Sequence, residues 1–262
     1  MTIAVVFALE AEFAPWRRRH DFQKTVGDGH PLYHARIGQT LVRVVLSGIA
    51  VPNRTVLAGA FADPLDLAIV AGISGSLKPA FGAGDILVAR RVDTHAAGWR
   101  GLRAGEEPAL STGRDTSSNP GETIAIDGRL VNQASMCGAT IVDTFLTVDR
   151  LVRRAEEKVQ LGRRADAIDM ESFMVIRESK ARGVPGLAIR VVGDTATEDL
   201  PLDFAAATRP DGSISTPRVL ADAFRRPDRW PMLVGFAASQ KRALNGLASF
   251  LDRFIASLDP KK

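Results

Sequence analysis

Ala167-Ile168-Asp169-Met170-Glu171-Ser172 and Arg190-Val191-Val192-Gly193-Asp194 each place carboxylic acids at the end of an apolar stretch. Two further pieces share that position. Glu10-Ala11-Glu12 follows the apolar run that opens the chain, and Gly72-Ile73-Ser74-Gly75-Ser76 follows a second one. In an open parallel sheet, ligands bind at the carboxyl ends of the strands, so such a sheet would gather all four pieces at one edge. A glycine loop there lets backbone N–H groups approach a ligand closely. Asp169 and Glu171 stand where a strand hands over to a helix, so one can point into a cleft while the other braces it. Asp194 ends a very apolar strand, and a carboxyl in such surroundings can keep its proton near neutrality. A carboxylate pair, a Met and a separate acid suit a clamp on sugar hydroxyls combined with proton transfer. Each acid also has a plainer reading. Asp169 sits where a helix N-cap belongs, and Glu10 reads as a solvent-facing charge. The joint occurrence is what argues for a site.

The elements that must position these residues follow from apolar patterning. Thr2 to Leu9 reads as a buried strand. Tyr33 to Ile37 and Leu41 to Leu46 flank Gly38-Gln39 as a hairpin. Pro52 to Phe61 reads as a helix, and Asp66 to Ala71 and Asp85 to Arg91 as strands. Residues 94 to 122 are polar and rich in Gly, Arg and Ser, a long loop of the kind that often serves as a lid. Thr140 to Leu146 predicts a strand, Val148 to Leu161 a charged helix, and Ala165 to Ile168 a strand. Met170 to Arg182 predicts a helix stopped by Gly183 and Pro185. Gly186 to Val192 is the last core strand, and Leu233 to Leu258 a terminal amphipathic helix. The pattern predicts an α/β fold with a mixed central sheet flanked by helices. It predicts one domain over residues 1–262, with a helical extension over about 197–262.

Composition narrows the class. The chain has 262 residues, 45% hydrophobic and 24% charged, which suits a globular protein with a large core. No apolar run is long enough for a transmembrane helix, and the first residues read as a strand and not as a leader. The one cysteine, Cys137, cannot form an internal disulfide and reads as a small packed residue. The cytoplasm is the expected compartment. Net charge is +4, and the basic clusters Arg17-Arg18-Arg19, Arg163-Arg164 and Arg225-Arg226 are short and scattered. Nucleic-acid binding would need a stripe with interleaved aromatics, so it is not expected. Peripheral contact with an anionic membrane stays open. The histidines show no metal-ligand spacing, and no metal is expected. Trp99 in the long insert is a weak candidate for lining a pocket.

The motifs Phe7-Ala8-Leu9-Glu10-Ala11-Glu12, Ser47-Gly48-Ile49, Val70-Ala71-Gly72-Ile73-Ser74-Gly75-Ser76-Leu77, Gly84-Asp85-Ile86, Asp169-Met170-Glu171-Ser172 and Arg190-Val191-Val192-Gly193-Asp194 stand in a telling order and spacing. Jointly they resemble the purine nucleoside phosphorylase and nucleosidase superfamily over roughly residues 2 to 195. The N-terminal match and the spacing from Met170-Glu171 to Asp194 look most like methylthioadenosine/S-adenosylhomocysteine nucleosidases. Further stretches look like the hopanoid-associated phosphorylases, which are thought to release adenine from adenosylhopane. These are Ala155-Glu156-Glu157-Lys158, Asp199-Leu200-Pro201, Thr208-Arg209-Pro210-Asp211-Gly212 and Arg225-Arg226-Pro227-Asp228-Arg229-Trp230-Pro231.

The resemblance implies cleavage of a purine N-glycosidic bond by phosphorolysis or hydrolysis, with no cofactor beyond inorganic phosphate as a co-substrate. It makes Asp194 the general acid at the purine N7 and Glu12 the carboxylate that orients water. Met170 and Glu171 become ribose contacts, Arg190 the group that positions the strand end, and Phe145 a loose match to the residue that stacks on the base. Gly72, Ser74 and Gly75 belong to the substrate-binding stretch. It also implies a homo-oligomer, a dimer or larger. Three departures bear on chemistry. Ile73 stands where phosphorylases usually place a phosphate-binding Ser, Val70 where many place a phosphate-binding Arg, and Gly193 where a Ser commonly contacts the base. Ser74, Ser76 and Arg54 are candidates to compensate. The rival to an enzyme is a nucleoside-binding protein on the same scaffold. The intact set Glu12, Glu171 and Asp194 favours the enzyme.

Overall fold

The computed structural model describes residues 1–27, 30–49, 57, 59–61, 63–94, 122–200 and 230–258. The expected helix over Pro52 to Phe61, the insert that carries Trp99, and the stretch after Pro201 lie largely or wholly outside them.

The element order is β1 (Thr2–Phe7), α1 (Glu10–Arg17), β2 (Gln23–Gly27), β3 (His30–Ile37), β4 (Thr40–Leu46), β5 (Leu67–Ser76), β6 (Ile86–Thr94), β7 (Thr123–Ala125), α2 (Gly128–Met136), β8 (Thr140–Thr147), α3 (Ala155–Leu161), β9 (Ala167–Asp169), α4 (Ser172–Ala181), β10 (Gly186–Asp194) and α5 (Trp230–Ser257). One 10-stranded mixed sheet holds the described strands, as the patterning predicts. Its centre is parallel: β4, β1, β5 and β10 run side by side in one direction. The β3–β4 hairpin turns on Gly38-Gln39, with Gly38 at φ +58°, a left-handed conformation that glycine adopts without strain. On the other side the sheet curls until β10 pairs with both β5 and β6, and β6, β8 and β9 lead back to β5. That closed circuit brings the ends of β5, β9 and β10 together.

The apolar runs in β1, β5 and β10 are buried almost without a break, which explains why they read as continuous and not alternating. α4 packs on β10 and β5, and α5 lies against β10 and α1. Asp252 ties α5 to α1 by accepting from Trp16 Nε1, Arg19 Nε and His20 Nε2, each at 2.7 Å.

Three expectations are corrected. Gly72 to Ser76 is not a loop: β5 runs through it to Ser76. Helix α3 begins at Ala155 and not at Val148. Val148 and Val152 turn into a second apolar cluster, and Arg153 accepts a backbone hydrogen bond from Leu200, which draws the chain out of helical geometry. The strand expected from Ala165 is only the short β9. Four elements go beyond the patterning: α1, β2, β7 and α2.

Candidate active site

The two glycines of β5 organise the edge where the acids gather. At Gly72, a Cβ would lie 2.6 Å from Glu12 Oε1 and 2.8 Å from Arg190 Nη1. At Gly75, it would lie 3.0 Å from Asp194 Oδ2. Each glycine is therefore the seat of one acid, and any side chain there would displace it. The two seats are three residues apart on one strand, roughly 10 Å at ~3.3 Å per residue.

Glu12 lies in the first turn of α1 and is buried. Its Oε2 accepts from the backbone N–H groups of Ala8 and Leu9, both at 3.1 Å, and its Oε1 accepts from Ile73 N at 2.8 Å. Those bonds leave Oε1 a free lone pair, because a carboxylate oxygen carries two. Burial raises the Glu12 pKa, and Arg190 and the three N–H donors only partly offset it.

Arg190 is wholly buried on β10, opposite Gly72. Its Nε donates to Asp169 Oδ2 at 3.1 Å and to Ser172 Oγ at 3.2 Å, and its Nη2 donates to Glu171 Oε2 at 3.3 Å. Burial works against its charge, but Asp169, Glu171 and Glu12 together overcome that and hold it cationic. Asp169 is a brace. Its Oδ1 accepts from Thr147 Oγ1 at 2.8 Å and from the Glu171 and Ser172 N–H groups. The N-cap position itself is Glu171, which makes no side-chain cap hydrogen bond, so Asp169 is not the N-cap expected there; it sits two residues earlier and still accepts from the first free N–H groups of the helix. Glu171 is buried beside Arg190.

Asp194 ends β10, where the register against β5 slips between Val192 and Asp194. Its side chain is 13% exposed. Burial raises its pKa; Lys158 pulls it down without cancelling the rise. Oδ2 is 2.5 Å from Lys158 Nζ, an ion-pair contact, and makes no hydrogen bond of regular geometry among the described residues.

The structure thus links Glu12 and Glu171 through Arg190 and places Asp194 farther along the same edge. Met170 is half-buried at the rim, against the cluster of Leu77, Leu146 and Ile168. Ser74 is buried with its Oγ unpartnered among the described residues. Phe145 is a correction: it is 0% exposed within the main core and offers no ring face to a base. Val70 is likewise a core residue. Gly193 leaves no room for a Ser, because a Cβ there would be 2.5 Å from Ile73 Cγ2 and 2.7 Å from Gln240 Oε1. Gln240 on α5 fills that space and donates to Gly193 O at 2.6 Å. Arg54 lies outside the described residues. Among the described residues, no group of three or more His, Cys, Asp or Glu side chains is arranged to hold a metal ion.

Sequence reasoning assigned no role to Lys158 or Gln240. Lys158 stood in a quoted motif, and its only further signal is a lysine on the sole buried position of a short helix.

A sequence profile of the phosphorylase superfamily matches residues 2–224. The chain belongs to the phosphorylase superfamily. It is an enzyme of the nucleoside phosphorylase and nucleosidase kind, which cleaves N-glycosidic bonds. A search of curated protein sequences found no match. Solved structures share the fold of this superfamily member. The 5'-methylthioadenosine/S-adenosyl homocysteine nucleosidase of Campylobacter jejuni is 17% identical with a TM-score of 0.67, over 97% of this chain and 98% of that one. A futalosine hydrolase mutant of Helicobacter pylori is 18% identical with a TM-score of 0.68, over 98% and 99%. The Neisseria meningitidis 5'-methylthioadenosine/S-adenosylhomocysteine nucleosidase, in complex with methylthio-immucillin-A, is 19% identical with a TM-score of 0.68, over 98% and 99%. Among the described residues, no helix is long and apolar enough to cross a membrane.

Proposed function

We propose that this enzyme hydrolyses the N-glycosidic bond of a purine riboside carrying a 5′ substituent and releases the base. The observation that carries this reading is the seating of Glu12 and Asp194 on two glycines of one strand, with Glu171 linked to Glu12 through Arg190. Asp194, kept protonated to higher pH by burial, donates to N7 and makes the base a better leaving group. Glu171 accepts from the ribose hydroxyls. Glu12, whose raised pKa brings it closer to neutrality, uses the spare lone pair on Oε1 to orient water and take its proton. The oxocarbenium-like sugar then forms among carboxylates fixed in advance, an arrangement that is often the largest catalytic contribution.

Water is favoured over phosphate by two features. Val70 lies in the core where many phosphorylases place a phosphate-binding Arg, and the buried cations Arg190 and Lys158 are both paired with carboxylates. The names of the structural neighbours support a 5′-modified nucleoside. Adenosylhopane is the bulkier candidate supplied by the sequence resemblance. The test is base release by purified protein from adenosine, 5′-methylthioadenosine, S-adenosylhomocysteine, futalosine and adenosylhopane, with and without inorganic phosphate. Phosphate-independent release that falls about 10²–10⁴-fold in kcat in Asp194→Asn is expected. Release that requires phosphate, or an Asp194→Asn variant with unchanged kcat, overturns the reading.

A further inference from the structure

Lys158 is 0% exposed and is the one buried residue of α3. Its Nζ lies 2.5 Å from Asp194 Oδ2 and donates to Thr195 O at 2.8 Å and Glu198 O at 2.9 Å. Three oxygens thus surround the ammonium, two carbonyls that accept its hydrogen bonds and the Asp194 carboxyl in ion-pair contact. The chain leaving β10 is wrapped onto the same helix. Ala155 N donates to Asp199 Oδ1 at 2.7 Å, and Leu200 N donates to Arg153 O at 3.0 Å. A buried ion pair is expensive for folding and is often replaceable by packed apolar side chains. Its place beside the acid therefore calls for a chemical account.

We propose that Lys158 is a positioning residue for catalysis: it fixes the Asp194 carboxyl and balances the negative charge that appears there as the proton leaves for the base. This rests on the reading of Asp194 as the general acid. The step moves one proton. The Asp194 O–H bond breaks, an N–H bond forms on the base, and the charge left on the carboxylate lies beside the ammonium. Lys158 keeps its own protons throughout. Burial alone would make Asp194 a reluctant donor, because its conjugate base would stand unsolvated. The charged groups that act on Asp194 are Lys158 from α3 and Glu198 from the turn after β10. β5 presents Gly75 beside the carboxyl and β9 presents Ile168 beside Gly75, neither of them ionisable.

Two variants separate charge from anchoring: Lys158→Met removes both, and Lys158→Gln keeps an amide donor for the carbonyls. With 5′-methylthioadenosine and adenosine as probes, both variants are expected to lose at least ~10-fold in kcat with little change in KM. In both, the alkaline fall in kcat moves to higher pH, because a weaker acid holds its proton longer. An alkaline limb unmoved in Lys158→Met, or a wild-type profile in Lys158→Gln, overturns the proposal. A readout on the wild-type protein covers the case in which neither variant folds. The Asp194 carboxyl carbon, assigned with Asp194→Asn, is followed by carbon-13 NMR alongside the lysine Nζ resonances. A Nζ resonance that shifts with the Asp194 titration while staying an ammonium supports the pairing, and independent titrations sink it. If the wild-type enzyme releases base from no nucleoside, the functional reading fails by itself while NMR still decides the pairing.

Discussion

Gly72→Ala is the sharpest test of the site, because its consequences can be worked from distances. The new methyl would stand 2.6 Å from Glu12 Oε1, 2.8 Å from Arg190 Nη1 and 3.0 Å from Glu12 Cδ, where ordinary contact begins near 3.4 Å. Relief requires the Glu12 oxygen to retreat by about 0.8 Å, and neither neighbour is free to do so. Glu12 is held by the N–H groups of Ala8, Leu9 and Ile73, and Arg190 by Asp169, Glu171 and Ser172. The backbone adds strain, since φ at Gly72 is +157°, a value L side chains rarely adopt. Overpacking of this kind costs ~1–3 kcal/mol. Displacing a catalytic group by ~1 Å can cost on the order of 10²-fold in rate. Urea unfolding and base-release kinetics on one preparation measure both. Gly128→Ala is the control, because a Cβ there meets nothing within 4 Å. A Gly72→Ala enzyme within ~0.5 kcal/mol of wild-type stability, the range of an indifferent surface change, and with unchanged kcat would show that the Glu12–Gly72–Arg190 contact is not what the site depends on.

Two further outcomes concern stability. Gly162→Ala should cost ~1–3 kcal/mol or more by urea unfolding, because its Cβ would meet Leu77 O at 2.3 Å and backbone cannot swing aside. A loss below about 0.5 kcal/mol would contradict the packing of α3 on the end of β5. Asp252→Ala should lose about 1–3 kcal/mol at neutral pH by leaving Trp16 and its neighbours without their acceptor. Burial raises the Asp252 pKa, but the hydrogen bonds from His20, Trp16 and Arg19 outweigh it and the net shift is downward. Its stabilisation is therefore full above the unfolded-state value of about 4 and is lost as pH falls through the lower folded value. The stability gap between wild type and variant should narrow in acid, and a gap that is constant down to low pH would refute the assignment.

The fold was legible wherever burial was continuous. β1, β5 and β10 announced themselves by unbroken apolar runs, and α5 by helical spacing along residues 233–258. β2 was not, because its described residues are exposed and it pairs only along one edge. α1 was hidden by its length of eight residues and by Pro15 within it. The N-terminal part of α3 was misjudged because Leu200, far along the chain, pairs with Arg153. In the site, the acids at the ends of apolar strands were visible from pattern alone. The purpose of the glycines was not. Gly72 and Gly75 looked like a turn for a ligand's backbone contacts, whereas they leave space for carboxyl groups contributed by α1 and β10. Such a role belongs to residues distant in sequence and leaves no local pattern.

The electrostatics of the edge explain why these acids are not interchangeable. Four carboxyl groups, Glu12, Asp169, Glu171 and Asp194, face two buried cations, Arg190 and Lys158. Arg190 gives its hydrogen bonds to Asp169 and Glu171, which holds them rigid, while Glu12 receives only its longer-range field. Glu12 instead relies on backbone N–H groups, so burial still raises its pKa and leaves it poised to accept a proton. Asp194 is served by a different cation on a different helix, so its proton can leave without disturbing the Arg190 cluster. The excess of acid over base disfavours an empty, closed edge, and a sugar ring that becomes positive as its bond to the base lengthens is the species that relieves it.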